Sequence, residues 1–205
     1  MRMPSQKSSE ARRVPQRQRG RERVASLLEA ASACFVEKGF EATTMTEVAA
    51  RAGASIGSLY QFFPTKEVLA QALIEQYVEA VYAELRKLAE QSVPWSTEQL
   101  AERLCGFLVA FRKRQPAFVA LESASIPAVD SMAIRRRVRS ELQALLARRA
   151  PHRSEDEMHA AAVVVQQMMK AAIAIHAEPG MPGRQAALIQ LQHAMQLYLH
   201  GVFGE

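Results

Sequence analysis

"ASIGSLYQFFPTKEVL", residues 54–69, decides how this chain is read. Two serines and a glycine precede a tyrosine, two phenylalanines and a proline, within a chain of otherwise ordinary amphipathic helices. A helix that enters the major groove of DNA must bring its backbone near base edges while its opposite face holds it to its own domain. Ser55, Gly57 and Ser58 are small enough for such an approach, and the hydroxyls can donate or accept. Leu59 and Phe63, four apart, supply the inward face, with Ala54 and Val48 as neighbours. Ser and Gly are also common turn residues, and Tyr60 and Phe62 could be core aromatics, so the stretch has to be weighed with what surrounds it.

Upstream, Thr44 stands three residues before Glu47, the spacing of a capping box, so a short helix is expected from about Met45 to Ala52, stopped by Gly53. Ser55 then caps a second short helix through Ile56 to about Phe62, which Pro64 breaks. Before these, "RERVASLLEAASACFVEK" from Arg21 places Val24, Leu27, Leu28, Ala31 and Phe35 on one helical face, and Gly39 follows as a C-terminal stop. After them, Thr65 caps a long helix from Lys66 to about Gln91. Two short helices joined by a glycine-bearing turn and framed by longer ones form the outline of a helix-turn-helix unit. In that frame the Tyr60 hydroxyl and the Lys66 ammonium fall where they can reach phosphates on either side of a groove. Thr44 and Thr46, at the start of the preceding helix, could add phosphate contacts through hydroxyl and helix N-terminus.

The charge distribution points the same way. The chain carries a formal +5, but residues 1–24 hold eight basic residues against two acidic ones, a net of +6, and the remainder comes to −1. An Arg- and Gln-rich arm over residues 1–20, poor in apolar groups, is expected to be flexible and drawn to a polyanion, with Arg12, Arg13, Arg17 and Arg19 tracking DNA. Capping box, glycine turn, small-residue helix and basic arm within one short region outweigh the plain turn reading.

The rest of the chain narrows the alternatives. Its 205 residues are 49% hydrophobic and 23% charged, enough for a folded domain pair. The N-terminal stretch has no signal-peptide core and no later apolar run approaches membrane-span length, so a cytoplasmic location is expected. Cys34 and Cys105 lie far apart, without metal-ligand spacing, and are expected to behave as small core hydrophobes. No nucleophile elbow, phosphate loop or metal-spaced His/Glu set is present, so no cofactor, no metal and no enzymatic role are expected. Beyond Val93-Pro94, helices are expected at about 96–114, briefly after Pro116, at about 128–149, from Ser154, and through the final "PGRQAALIQLQHAMQLYLHGVF". The chain is therefore all-α with about nine helices.

The stretch "GFEATTMTEVAARAGASIGSLYQFFPTKEVL" resembles the DNA-binding domain of the TetR family of bacterial transcriptional regulators, over about Arg21 to Leu69. The resemblance implies that Thr44 caps the second helix and contacts phosphate, as does Thr46. It implies further that Ser55, Ile56, Gly57 and Ser58 form the base-facing turns of the recognition helix, with Tyr60 and Lys66 on phosphates. Phe62 stands where the family usually has His, which points to a packing role. Ile56, at a position often polar, either meets a thymine methyl or packs inward.

From the resemblance, residues 21–68 are expected to bind DNA and residues 69–205 to form a helical body that takes a small molecule and pairs with a second copy. The last two helices carry more apolar surface than one core needs, including Leu188, Leu191, Met195 and Leu199. Candidate pocket residues are Trp95, Phe107, Phe111 and Phe118, with Met132, Met168, Met169 and His176, and Glu122 or Lys170 as polar anchors; ordinary core packing competes at nearly all of them. The cluster "RRRVR" at 135–139 is expected to be a solvated helix face balanced by Glu141 and the "SEDE" at 154–157. The expected function is a homodimeric, ligand-responsive repressor on a palindromic operator. The alternatives are a sequence-nonspecific architectural DNA binder or, less favoured, an enzyme using the C-terminal cavity.

Overall fold

The computed structural model describes residues 7–122, 124, 126 and 130–204, with side chains from Gln18 onward. Its helices are α1 (Lys7–Ala42), α2 (Met45–Arg51), α3 (Ile56–Phe62), α4 (Lys66–Gln91), α5 (Thr97–Arg114), α6 (Pro116–Glu122), α7 (Ser131–Arg149), α8 (Glu155–Ala177) and α9 (Arg184–Phe203). No strand occurs among the described residues, as the sequence pattern requires. The chain divides into two compact units, one formed by the described residues of Met1–Glu75 and Ala117–Val129, the other by Gln76–Pro116 and Asp130–Glu205.

In the first unit, local chemistry sets the helix ends. Gly39 adopts φ 77°, open to glycine at little cost, and breaks α1 so that Phe40 can fold back with its ring 5.7 Å from that of Phe35. The helix begins at Lys7, well before the Arg21 start expected from its apolar face. Arg, Gln and Glu are good helix formers, and an apolar stripe marks where a helix is buried, not where it begins. Leu27, Ala31 and Phe35 are fully buried, as their spacing predicts. Full burial of such a leucine or phenylalanine contributes about 1.5–3 kcal/mol.

The second unit is a helical bundle in which α8 packs against α5, α7 and α9, and α5 also meets α9. Buried alanines on α8 (Ala161, Ala162, Ala172) let neighbouring backbones approach, while Leu104 and Phe111 of α5, Leu142 and Leu146 of α7, and Met195 and Leu199 of α9 fill the interior. Ser154 caps α8 by accepting from the Glu157 amide at 3.2 Å, and Asp130 caps α7 by accepting from the Met132 and Ala133 amides, both at 2.9 Å. That aspartate, not Ala128, sets the start of α7.

One sequence expectation changes here. By length and composition α8 is apolar enough to cross a membrane. Its buried residues are instead those that meet other helices of the bundle, and among them Gln166 places a hydrogen-bonded amide in mid-helix.

Candidate nucleic-acid interface

The interface is built from the turn between α2 and α3. Thr44 accepts a hydrogen bond from the Glu47 amide at 3.3 Å, and Glu47 Oε2 accepts from the Thr44 amide and hydroxyl, both at 3.0 Å, so the capping box is closed from both sides. The Lys38 ammonium binds the other carboxylate oxygen of Glu47. These contacts, the Lys38 bond foremost, hold the Glu47 carboxyl down to about 2. At the other end of α2, Gly53 with φ 60° donates to the Ala50 carbonyl at 3.1 Å, and Ala54 donates to that of Ala49 at 2.9 Å. This Schellman closure turns the chain sharply into Ser55.

Ser55 then caps α3 by accepting from the Ser58 amide at 3.2 Å. Leu59 is fully buried and Phe63, just past the helix end, is nearly so, as their spacing predicts. The opposite side of α3 faces out. Ile56 is 40% exposed and Tyr60 48%, Gly57 and Gln61 are exposed beside them, and Ser58 is half-buried. The choice left open for Ile56 thus resolves outward. Phe62, expected to pack, is 38% exposed, because the inward positions at this end of the helix belong to Leu59 and Phe63. Helix α3 carries no charged side chain, so whatever it meets is read by apolar, hydroxyl and amide groups.

Lys66, at the start of α4, holds backbone carbonyls of its own chain. Its Nζ donates to the carbonyls of Phe40 at 2.8 Å, Glu41 at 3.0 Å and Thr43 at 3.1 Å. An ammonium has three donors, and here all three hold the segment between α1 and α2, leaving none directed at a phosphate. Thr43, which sequence reading did not single out, reinforces the same corner by donating from its buried hydroxyl to the Gly39 carbonyl at 2.7 Å. On the other side of α2, Arg51 holds Glu37 in a two-pronged pair at 2.7 and 2.5 Å. Thr46 and Thr44 are exposed at the start of α2, and Arg19 is exposed on α1. The side chains of Arg12, Arg13 and Arg17 lie outside the described residues.

The structure places the pocket candidates in different surroundings. Trp95 and Phe107 line an open groove of about 320 Å³ with Glu84, Lys87 and Arg103, whose guanidinium stands 4.3 Å over the Trp95 ring. Phe111 and Met169 are fully buried core residues, Met132 is exposed because it sits in the first turn of α7, and Met168 and His176 are half-buried on α8. Phe118, on α6, belongs to the first unit. Cys34 is buried, and burial pushes the Cys105 thiol up to about 11, beside the Met195 sulfur at 3.7 Å. Among the described residues no group of three or more His, Cys, Asp or Glu could hold a metal ion.

A capped two-helix turn that presents one side of its second helix to solvent defines a helix-turn-helix protein. The comparisons with known proteins agree and go further. Residues 27–73 match the family model "Bacterial regulatory proteins, tetR family", and residues 96–199 match "Tetracyclin repressor-like, C-terminal domain". The chain belongs to the TetR family. It is 36% identical over 88 residues to the HTH-type transcriptional repressor KstR2 of Mycobacterium tuberculosis, covering 43% of this chain and 42% of that protein. It is 41% identical over 66 residues to the HTH-type transcriptional activator FasR of Mycolicibacterium smegmatis, covering 32% and 30%. The chain thus spans less than half the length of each of these relatives. A TetR-family regulator from Pectobacterium atrosepticum shares the fold with TM-score 0.67 at 22% identity, over 91% of this chain and 96% of that one.

Proposed function

We propose that this protein is a cytoplasmic, ligand-responsive transcriptional repressor that binds a two-fold symmetric operator as a homodimer and is not an enzyme. The observation that carries the reading is the outward side of α3, where Ile56, Gly57, Tyr60 and Gln61 are exposed while Leu59 anchors the helix from behind. Ser55, Ile56, Gly57 and Ser58 sit nearest the bases, with Ile56 against a thymine methyl. Tyr60, Thr44 and Thr46 bind phosphate, and the basic segment with Arg12, Arg13, Arg17 and Arg19 adds salt-dependent affinity. Lys66 acts by holding the corner from which α2 projects.

Residues 21–68 form the DNA-binding part and the helical body beyond them the effector and pairing part. Pairing runs through α8 and α9, where Leu197 is 58% and Ile189 54% exposed. An open groove of about 490 Å³, lined by Met158, Ala161, Tyr198 and Val202 of the same two helices, adds apolar surface for a second copy. Two copies bring two recognition helices to half-sites about 34–36 Å apart. Effector binding shifts the population toward a spacing that no longer fits; a hundredfold preference of the effector for that state supplies about 2.7 kcal/mol.

Selection of bound sequences from a random DNA pool tests the proposal. A two-fold symmetric motif is the expected result. Binding without any motif would leave a nonspecific DNA coater in place of a regulator.

A further inference from the structure

Where α7 meets α8, Arg135, Arg139 and Lys170 stand around Gln166, and the charges of both arginines act on the lysine. Gln166, buried on α8, donates from Nε2 to the Arg135 carbonyl at 2.9 Å, and Arg139 Nη2 donates to Gln166 Oε1 at 3.4 Å. Lys170 follows Gln166 by one helical turn, as Arg139 follows Arg135.

The carboxylates of Glu141, Glu157, Glu79 and Asp130 have partners other than Arg135, Arg139 and Lys170. Glu141 pairs with Arg86 at 3.0 Å, Glu157 with Arg153 at 3.2 Å, and Glu79 takes Arg137 at 2.8 Å. Asp130 accepts from the first amides of its own helix and faces Arg136. Among the described residues Arg135 donates only to Ser131, through Nε to its carbonyl at 3.1 Å and through Nη2 to its hydroxyl at 2.9 Å.

Two signs of an unmet need remain. Arg139 Nε is shut off from solvent and meets no acceptor among the described residues. Burial, and after it the positive charge of Arg135 and Arg139, pushes the Lys170 ammonium below the ordinary lysine value. Buried donors without acceptors are rare in folded proteins, and neighbouring like charges cost free energy unless an anion sits among them. Arg135 is exposed and Lys170 half-buried, so an incoming group reaches the crossing from solvent.

We infer that Arg135, Arg139 and Lys170 form an anion-binding subsite, with Gln166 as its floor, for the carboxylate or phosphoryl head of a small-molecule effector. The inference rests on the reading of the second unit as an effector domain and names the chemical class that domain takes: an acid. Arg139 supplies planar guanidinium donors and Lys170 a point charge, while Gln166 fixes the guanidinium by accepting from it.

The test is calorimetric titration of the full chain with sodium octanoate and, separately, with inorganic phosphate, at an ionic strength held constant with chloride. Binding of at least one probe is expected. Octanoate alone assigns a carboxylate head; phosphate alone assigns a phosphoryl head. Lys170→Met and Arg139→Met should each weaken that binding about tenfold or more. Lys113→Met, which removes an exposed lysine of α5, should leave it unchanged. Circular dichroism of each variant in chloride confirms its fold, with Lys170→Gln as the substitute if the methionine variant misfolds. No binding of either probe overturns the subsite, as does equal affinity in the full chain and in the Lys170 and Arg139 variants. Operator binding without added anion, measured on the same preparations, reports separately on the regulator reading.

Discussion

The Lys66 ammonium lies 2.8 Å from the Phe40 carbonyl and 4.5 Å from the centroid of the same residue's ring, so one cation grips both the backbone and the side chain of the segment joining α1 to α2. With the Glu41 and Thr43 carbonyls also accepting from it, Lys66 organises a corner spanning more than twenty residues of sequence. Lys66→Met leaves three carbonyls without their charged donor and should destabilise the protein by about 1–3 kcal/mol in urea unfolding. Lys66→Arg should recover only part, because a planar fork cannot aim at three converging carbonyls. A methionine variant of unchanged stability but weakened salt dependence of DNA binding would return Lys66 to the phosphate role.

On α3, burial separates two kinds of substitution. Ile56→Ala removes an exposed side chain, so stability should stay within about 0.5 kcal/mol while specific DNA binding weakens about tenfold. Tyr60→Phe deletes a neutral hydroxyl and should reduce affinity without altering the slope of log K against log salt. Leu59→Ala opens a cavity in a fully buried site and should cost about 2–5 kcal/mol of stability. Fluorescence anisotropy on a labelled duplex across a salt series, beside thermal melts, checks all three; an Ile56→Ala protein that binds as before would move the base contacts off this helix.

The same residues show what could be read from the chain in advance. Caps at Thr44, Ser55, Ser96 and Ser154 join a side chain to a backbone amide a few residues away, so spacing alone announces them, and the helices they start are placed almost to the residue. The Lys66 corner was not legible because its acceptors lie more than twenty residues upstream and no local pattern ties them together. The pocket candidates show the same limit. Met132 and Met169 look alike as apolar residues on helices, yet one is exposed in the first turn of α7 and the other is fully buried in the bundle. The cluster at 135–139 is largely exposed, as its sequence suggests, but the contacts of Arg135 and Arg139 with Gln166 are set by a second helix, α8, and could not be read from the cluster itself.

Glu47 links the helix-turn-helix to pH. Its folded carboxyl lies at about 2, against an ordinary 4.5, because Lys38 and both Thr44 groups favour the anion. A depressed folded value means that the stabilisation is fully present above about 4.5 and is lost as pH falls toward 2. Glu47→Gln should therefore be less stable than the parent at neutral pH and converge with it at the acid end of that window. Thermal melts at stepped pH check the convergence; parallel curves for the two proteins would detach Glu47 from acid stability.

The outer side of α9 carries the last prediction. Leu197 and Ile189 lie eight residues apart on one helix and are both more than half exposed, although a lone bundle gains nothing by presenting two large aliphatic groups to water. A charge at this face has to be desolvated if a second copy covers it, and can stay hydrated if none does. Leu197→Glu should thus halve the mass seen by light scattering, from dimer to monomer, with helical circular dichroism preserved because the residue supports no intrachain core. Operator affinity should fall in parallel, since one recognition helix reads one half-site and loses the cooperative gain of the pair. A Leu197→Glu protein that remains dimeric with full operator affinity would place the pairing surface elsewhere on the helical body.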